Sequence, residues 1–192
     1  MTQHRLLTSS MFALAAILFL LPFFSVQCTG RAIPQFQDLG VPPSELRFEL
    51  TGADLVFGRV PDPQARALFM EFDGPGTAQR LAIALGVAVL AGILLSGLPG
   101  RAGGVAGATL GLVGLALLIL LGRAVDQEVH QRTVRTAREV VSVEWEVGAW
   151  GVAALLTAAF VHGTLRAFRG GTSTRAGPHA PPEGGESTSA AP

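Results

Sequence analysis

The chain has 192 residues, 49% hydrophobic and only 15% charged, which is too apolar for a soluble domain of this size. Its 14 basic residues, all Arg, balance 14 acidic ones, so no net field gathers nucleic acid and that class of partner is set aside. The single Cys28 excludes an intramolecular disulfide and a cysteine zinc cluster. Lys, Tyr and Asn, whose codons are AT-rich, are missing, which points to a GC-rich, bacterial source.

Leu6 to Val26 is apolar throughout. At ~1.5 Å per residue it is long enough to cross the ~30 Å hydrocarbon core of a bilayer. A cleavage site before Cys28 needs a small residue at position 27, and Gln27 is neither small nor apolar. The segment therefore reads as an uncleaved signal anchor, with Pro22 near its far end and Phe23 and Phe24 at the interface. The junction Leu21-Pro22-Phe23-Phe24-Ser25-Val26-Gln27-Cys28, followed by Leu50-Thr51-Gly52-Ala53-Asp54-Leu55 and Gly58, resembles a pattern in uncharacterised small bacterial multi-pass membrane proteins. There a Leu-Pro-aromatic-x-Ser-Val-x-Cys run closes the first helix and a Thr-Gly-x-Asp/Glu-Leu element follows. The resemblance implies no activity, cofactor or site.

Residues 29–79 form the larger polar loop. Within it Glu45 to Leu50 alternates, placing Leu46, Phe48 and Leu50 on one face of a strand and charges on the other. Thr51-Gly52 reads as a turn or bulge, and Pro63 to Phe72 as a short helix on the membrane surface. Two uncharged apolar runs follow, Leu81 to Leu98 and Gly103 to Gly122, joined by Pro99-Gly100-Arg101-Ala102. So short a connection makes them antiparallel neighbours, a transmembrane hairpin. Small residues recur four apart at Ala84, Ala88 and Gly92, and again at Gly103, Gly107 and Gly111, the spacing that lets helix backbones approach closely in lipid. Packing inside one chain is the preferred use of these stripes. A homo-oligomeric or pore-lining interface is the alternative.

Residues 123–147 form the second polar loop. The pairs Glu128/Arg132 and Arg135/Glu139 carry the third span out of the membrane as an exposed helix. Val141 to Val147 then alternates as a second strand, with Val143 and Trp145 on its apolar face, and is expected to pair with residues 45–50. Gly148 to Leu165 is the fourth span, with Trp145 and Trp150 at interfacial depth. From residue 169 onward the composition is Gly, Ser, Thr, Ala and Pro without apolar periodicity, and residues 169–192 are read as a disordered tail.

The fold class expected is an all-α membrane protein with a small extracytoplasmic β-containing loop region. Residues 1–168 hold four transmembrane helices, at about 6–26, 81–98, 103–122 and 148–165. Arginines stand on both sides of this arrangement. The acid-free stretch before Glu183 and Arg101 in the tight turn place both chain ends in the cytoplasm of a bacterial cell. No nucleophile elbow, phosphate loop or HExxH occurs, so no catalytic residue, cofactor or metal is assigned. Asp126 and His130 lack further converging ligands and read as a solvated helix face. His162, the ionisable residue placed inside a span, and Cys28 are retained as weak functional candidates. The leading expectation is a non-catalytic envelope protein whose loops, through Leu46, Phe48, Leu50, Val143 and Trp145, form a platform for a membrane or envelope partner. A small transport or channel component acting as an oligomer is the alternative.

Overall fold

Pro22 decides where the first helix ends. Its ring would collide with the carbonyl of the residue four before it, and that residue is Leu18. In the computed structural model, which describes residues 3–28, 47–59, 76–132 and 141–169, the first helix α1 spans Gln3–Leu18. A tight turn follows, with Phe19, Leu20 and Leu21 donating to the carbonyls three residues back. The chain then runs straight into strand β1, Pro22–Cys28. The apolar segment expected to cross as one helix to Val26 is thus divided into a helix and a strand. Phe23 and Phe24, expected at the interface, are fully buried.

Strand β2, Arg47–Thr51, leads directly into the short helix α2, Gly52–Phe57. Helix α3 covers Thr77–Ser96 and α4 covers Gly100–Arg132. Strand β3, Val141–Trp145, precedes the last helix α5, Val147–Arg169. The helices α3, α4 and α5 are each long and apolar enough to cross a membrane, while the apolar part of α1 is the shorter stretch Leu7–Leu18. Helix α4, with 33 residues, reaches ~50 Å at ~1.5 Å per residue, well beyond a ~30 Å hydrocarbon core. Its last turns continue past the apolar slab, as the Glu128 to Arg132 spacing suggested.

The helices pack as a closed ring, α1 on α3 and α5, α3 on α4, and α4 on α5. Phe12, Leu85, Val89, Leu118 and Leu156 fill its interior, and an apolar belt that includes Ile83, Val87, Leu90, Leu112, Ile119 and Val161 faces outward. At one end Ser9 of α1 meets Ser96 of α3, 3.1 Å between hydroxyl oxygens. At the other, Gly148 of α5 lies against the Pro22 carbonyl and the Glu128 carboxylate of α4 accepts from Ala78 N at the start of α3, 2.9 Å away. The described parts of both polar loops therefore meet at one end of the bundle. The start of α1, the α3–α4 turn and the end of α5 share the other.

The small-residue stripes serve this packing. Gly92 seats the Phe12 ring, Gly107 faces Thr8 of α1, and Gly111 lies against the backbone of Leu156 and Phe160. Gly103 sits under the carbonyls of Ser96 and Leu98. Ala88 is buried and Ala84 half-buried. The tightest crossing is that of α4 and α5, where a Cβ on Gly163 would stand 2.5 Å from Ala108 N and 2.8 Å from the Gly104 carbonyl oxygen. Such backbone contact substitutes for the hydrophobic drive that lipid does not supply. Gly86, by contrast, has open space around it.

Replacing Gly163 by Leu is expected to part α4 from α5 and lower the stability of the detergent-solubilised protein by about 3 kcal/mol or more, the upper range for overpacking. Gly86→Ala should leave it unchanged or raise it by up to about 1 kcal/mol. Unfolding midpoints of the two variants measure the difference, and equal midpoints would refute the packing assignment.

Candidate functional site

The three strands form one antiparallel sheet in the order β2-β1-β3. The two stretches whose alternation was visible in the sequence do not pair with each other. Both pair with β1, which lies between them: Val26 stands opposite Phe48 and Val143, and Ser25 opposite Glu49 and Glu144. Period-two alternation then sorts the side chains. One face carries Phe24, Val26, Phe48, Leu50, Val143 and Trp145, and all six belong to the hydrophobic core or pack on it. The other carries Ser25, Gln27, Arg47, Glu49, Ser142 and Glu144.

The apolar face is already covered by this chain. Trp145 lies across Gly122 of α4, where the missing side chain makes room for the indole. Its ring meets Phe24 edge-on at 5.5 Å and Trp150 at 5.7 Å, and Phe24 continues to Phe23 and Phe19 at 6.3 and 5.1 Å. Rings at these separations favour tilted and edge-to-face arrangements, and this chain of five is the joint between sheet and bundle. Phe48, Leu50, Val143 and Trp145, expected as partner-binding residues, are partly buried and pack against the core. Leu46 and the surface helix expected over 63–72 lie outside the described residues, as do residues 170–192 of the expected tail.

The polar face is tied by side chains across the strands. Gln27 Nε2 donates to Glu144 Oε1 at 2.6 Å, and Arg47 Nη2 donates to Glu146 Oε1 at 2.8 Å while standing 3.5 Å from Glu49. Arg47 and Glu49 are about half exposed, so each pair contributes at most about 1 kcal/mol. Their effect is to fix the arrangement of charges: three carboxylates, one guanidinium and one amide on a small area. Ser25, at its centre in register, is fully buried, and its Oγ has no hydrogen-bond partner among the described residues.

At the margin of the sheet Thr51 ends β2 and caps α2, which starts at Gly52, and the register shifts between Pro22 and Phe24 on the facing strand. Thr51 Oγ1 accepts from Asp54 N at 3.0 Å while the Asp54 carboxylate accepts from Thr51 N at 3.2 Å, a reciprocal capping box. Gly52 touches the Phe19 carbonyl, Ala53 N donates to that same oxygen at 2.9 Å, and Gly58 ends the helix at φ 63°, a left-handed conformation that favours glycine. The end of α1 with β1 and the β2–α2 junction therefore meet in space, with Pro22 paired opposite Thr51.

Of the remaining candidates, Cys28 closes β1 opposite Val141, and His162 is half-buried on α5 near the end away from the sheet. The Glu128 carboxylate is engaged at the start of α3. Among the described residues no three His, Cys, Asp or Glu side chains converge as metal ligands. Comparison with protein-family models, curated proteins and solved structures found no match for the chain.

Thr51→Ala removes one half of the capping box and should cost about 1 kcal/mol. The loss is expected as faster amide exchange confined to residues 52–58 and the β2 end of the sheet. Unchanged exchange there would show that α2 is held by tertiary contacts alone.

Proposed function

We propose that the protein is a non-catalytic integral membrane protein of the bacterial envelope whose sheet is an extracytoplasmic platform for a membrane or envelope partner. The observation that carries this reading is the division of the sheet's two faces. The apolar face is occupied by the protein's own helices, and the opposite face carries a fixed pattern of half-exposed charge.

We infer further that α1 is a fourth crossing and that both chain ends are cytoplasmic. Helix α1 runs alongside α3 and α5, and its outward side chains Leu14 and Ile17 are apolar and exposed, as a lipid-facing surface requires. The phenyl ring of Phe57 beneath Arg59 and the exposed indole of Trp150 suit the headgroup layer on the sheet side. The competing transport reading rested on the glycine stripe, and Gly103, Gly107 and Gly111 are occupied by contacts within the chain.

Two measurements test the proposal. In a Cys28→Ser background, Glu49→Cys should react with an impermeant maleimide in intact cells, and Arg101→Cys only after permeabilisation. The reverse pattern would place the platform in the cytoplasm. A photo-crosslinking residue at Glu49 or Glu144 should give a discrete protein adduct that the same residue at Leu90 does not, and reversing the other carboxylate to Lys should abolish it. Adducts indifferent to charge would refute the platform.

A further inference from the structure

The end of the bundle opposite the sheet has a charge character of its own. Residues 3–10, 94–104 and 160–169 contain Arg5, Arg101, Arg166 and Arg169 but no Asp or Glu. Every acidic residue among those described stands at the sheet end: Glu49, Asp54, Asp126, Glu128, Glu144 and Glu146. Two of the arginines are held in place by backbone. Arg166, on the last turns of α5, donates from Nη1 to Ser96 O at 3.0 Å and from Nη2 to Leu98 O at 2.9 Å, at the end of α3. Arg101, on the first turn of α4, donates from Nε to Ala167 O at 3.3 Å, at the end of α5. Each guanidinium thus satisfies carbonyls that a helix C-terminus leaves without intrahelical partners.

Carbonyl oxygens do not neutralise a full charge. Arg101 and Arg166 have no carboxylate partner among the described residues, where both ion pairs use Arg47. A guanidinium has five N–H donors, of which Arg101 uses one in these bonds and Arg166 two. The helices that carry Arg166 and supply its acceptors also expose apolar side chains at this end. Leu94 and Phe168 are about three-quarters exposed, at 75% and 74%, and Leu98 and Leu165 are exposed as well. A fixed cationic pair bordered by exposed apolar side chains matches a ligand with an anionic head and hydrocarbon tails.

We propose that Arg101 and Arg166 together bind the phosphate of an anionic phospholipid, whose acyl chains lie over Leu94, Leu98, Leu165 and Phe168. A free phosphate would satisfy the charges and leave those side chains uncovered. The proposal is independent of what the sheet binds.

The test uses the full chain in neutral detergent, with phosphatidylglycerol, phosphatidylcholine of matched chain length and inorganic phosphate as probes. Lipid retention is read by native mass spectrometry and protection by the unfolding temperature. Phosphatidylglycerol should be retained over phosphatidylcholine and raise the unfolding temperature further, with inorganic phosphate giving no comparable rise. At about 1 kcal/mol per basic residue at an anionic surface, Arg101→Gln should weaken phosphatidylglycerol retention about fivefold, and adding Arg166→Gln about 25-fold. Because Arg166 also caps α3, Arg166→Lys serves where the glutamine variant does not fold, and it should keep most of the lipid preference. Equal retention of the two lipids, an equal rise with inorganic phosphate, or an undiminished preference in Arg101→Gln would each overturn the proposal.

Discussion

One prolyl ring governs the architecture at the sheet end. Had α1 continued to Val26, the residues from Pro22 to Cys28 would lie on a helix and β2 and β3 would have no common neighbour. A lone strand at a membrane surface leaves its amides and carbonyls unpaired, and a pair of strands is marginal at best. Pro22 removes a helical donor, excludes the Leu18 carbonyl from a helical bond and favours extended backbone before it. The following residues, Phe23 to Val26, then find their partners on both sides. The helix and the central strand are consecutive, so the sheet is anchored to the bundle through the backbone itself.

This also explains which parts of the sheet can be read from sequence. Strands β2 and β3 each have one face toward the core and one toward solvent, so their residues alternate cleanly, as Arg47-Phe48-Glu49-Leu50 and Val143-Glu144-Trp145 show. The central strand lacks that signal. Phe23, Phe24, Ser25 and Val26 are all buried, and the run follows an apolar helix without a polar break. Period-two and period-3.6 patterns are indistinguishable in such a segment, and only Pro22 marks the change. The same limit applies to the site. Phe48, Leu50, Val143 and Trp145 announce an apolar face, but nothing local to them shows that Gly122 and the extension of α4 cover it. That contact lies between segments separated along the chain, and neither segment carries a pattern that names the other.

The small-residue spacing shows a similar division between what is local and what is not. Gly103, Gly107 and Gly111 were legible as a close-packing stripe from their four-residue interval. Their partners were not, because a stripe records how closely a neighbour approaches and not which neighbour it is. In the structure one stripe serves several neighbours in turn: the carbonyls at the end of α3, Thr8 of α1, and the backbone of α5. Gly163 contributes to the same crossing from α5, standing between Ala159 and Ala167 at the same four-residue interval. Thr51-Gly52 reads from its residue types as a turn or bulge, and in the structure it is where strand β2 gives way to helix α2. A capping box and a turn begin with the same residue types, and only the hydrogen bonds from Ala53 to Phe19 and from Asp54 to Thr51 separate them.

The two ends of the bundle differ in charge for a reason that lies in side chains alone. Helices α1 and α4 start at the end away from the sheet, where α3 and α5 finish, so each end of the ring presents two helix N-termini and two C-termini. The backbone dipoles therefore oppose one another and give the bundle no net direction. Side chains restore one. At the sheet end the Asp54 carboxylate accepts from Thr51 N at the N-cap of α2, and the Glu128 carboxylate accepts from Ala78 N in the first turn of α3. At the other end Arg101 and Arg166 donate to the last turns of α5 and α3. Carboxylates at helix starts and guanidiniums at helix ends are each favourable locally. With arginines but no acids at the end away from the sheet, and every described acid at the sheet end, the bundle carries a polarity along its axis.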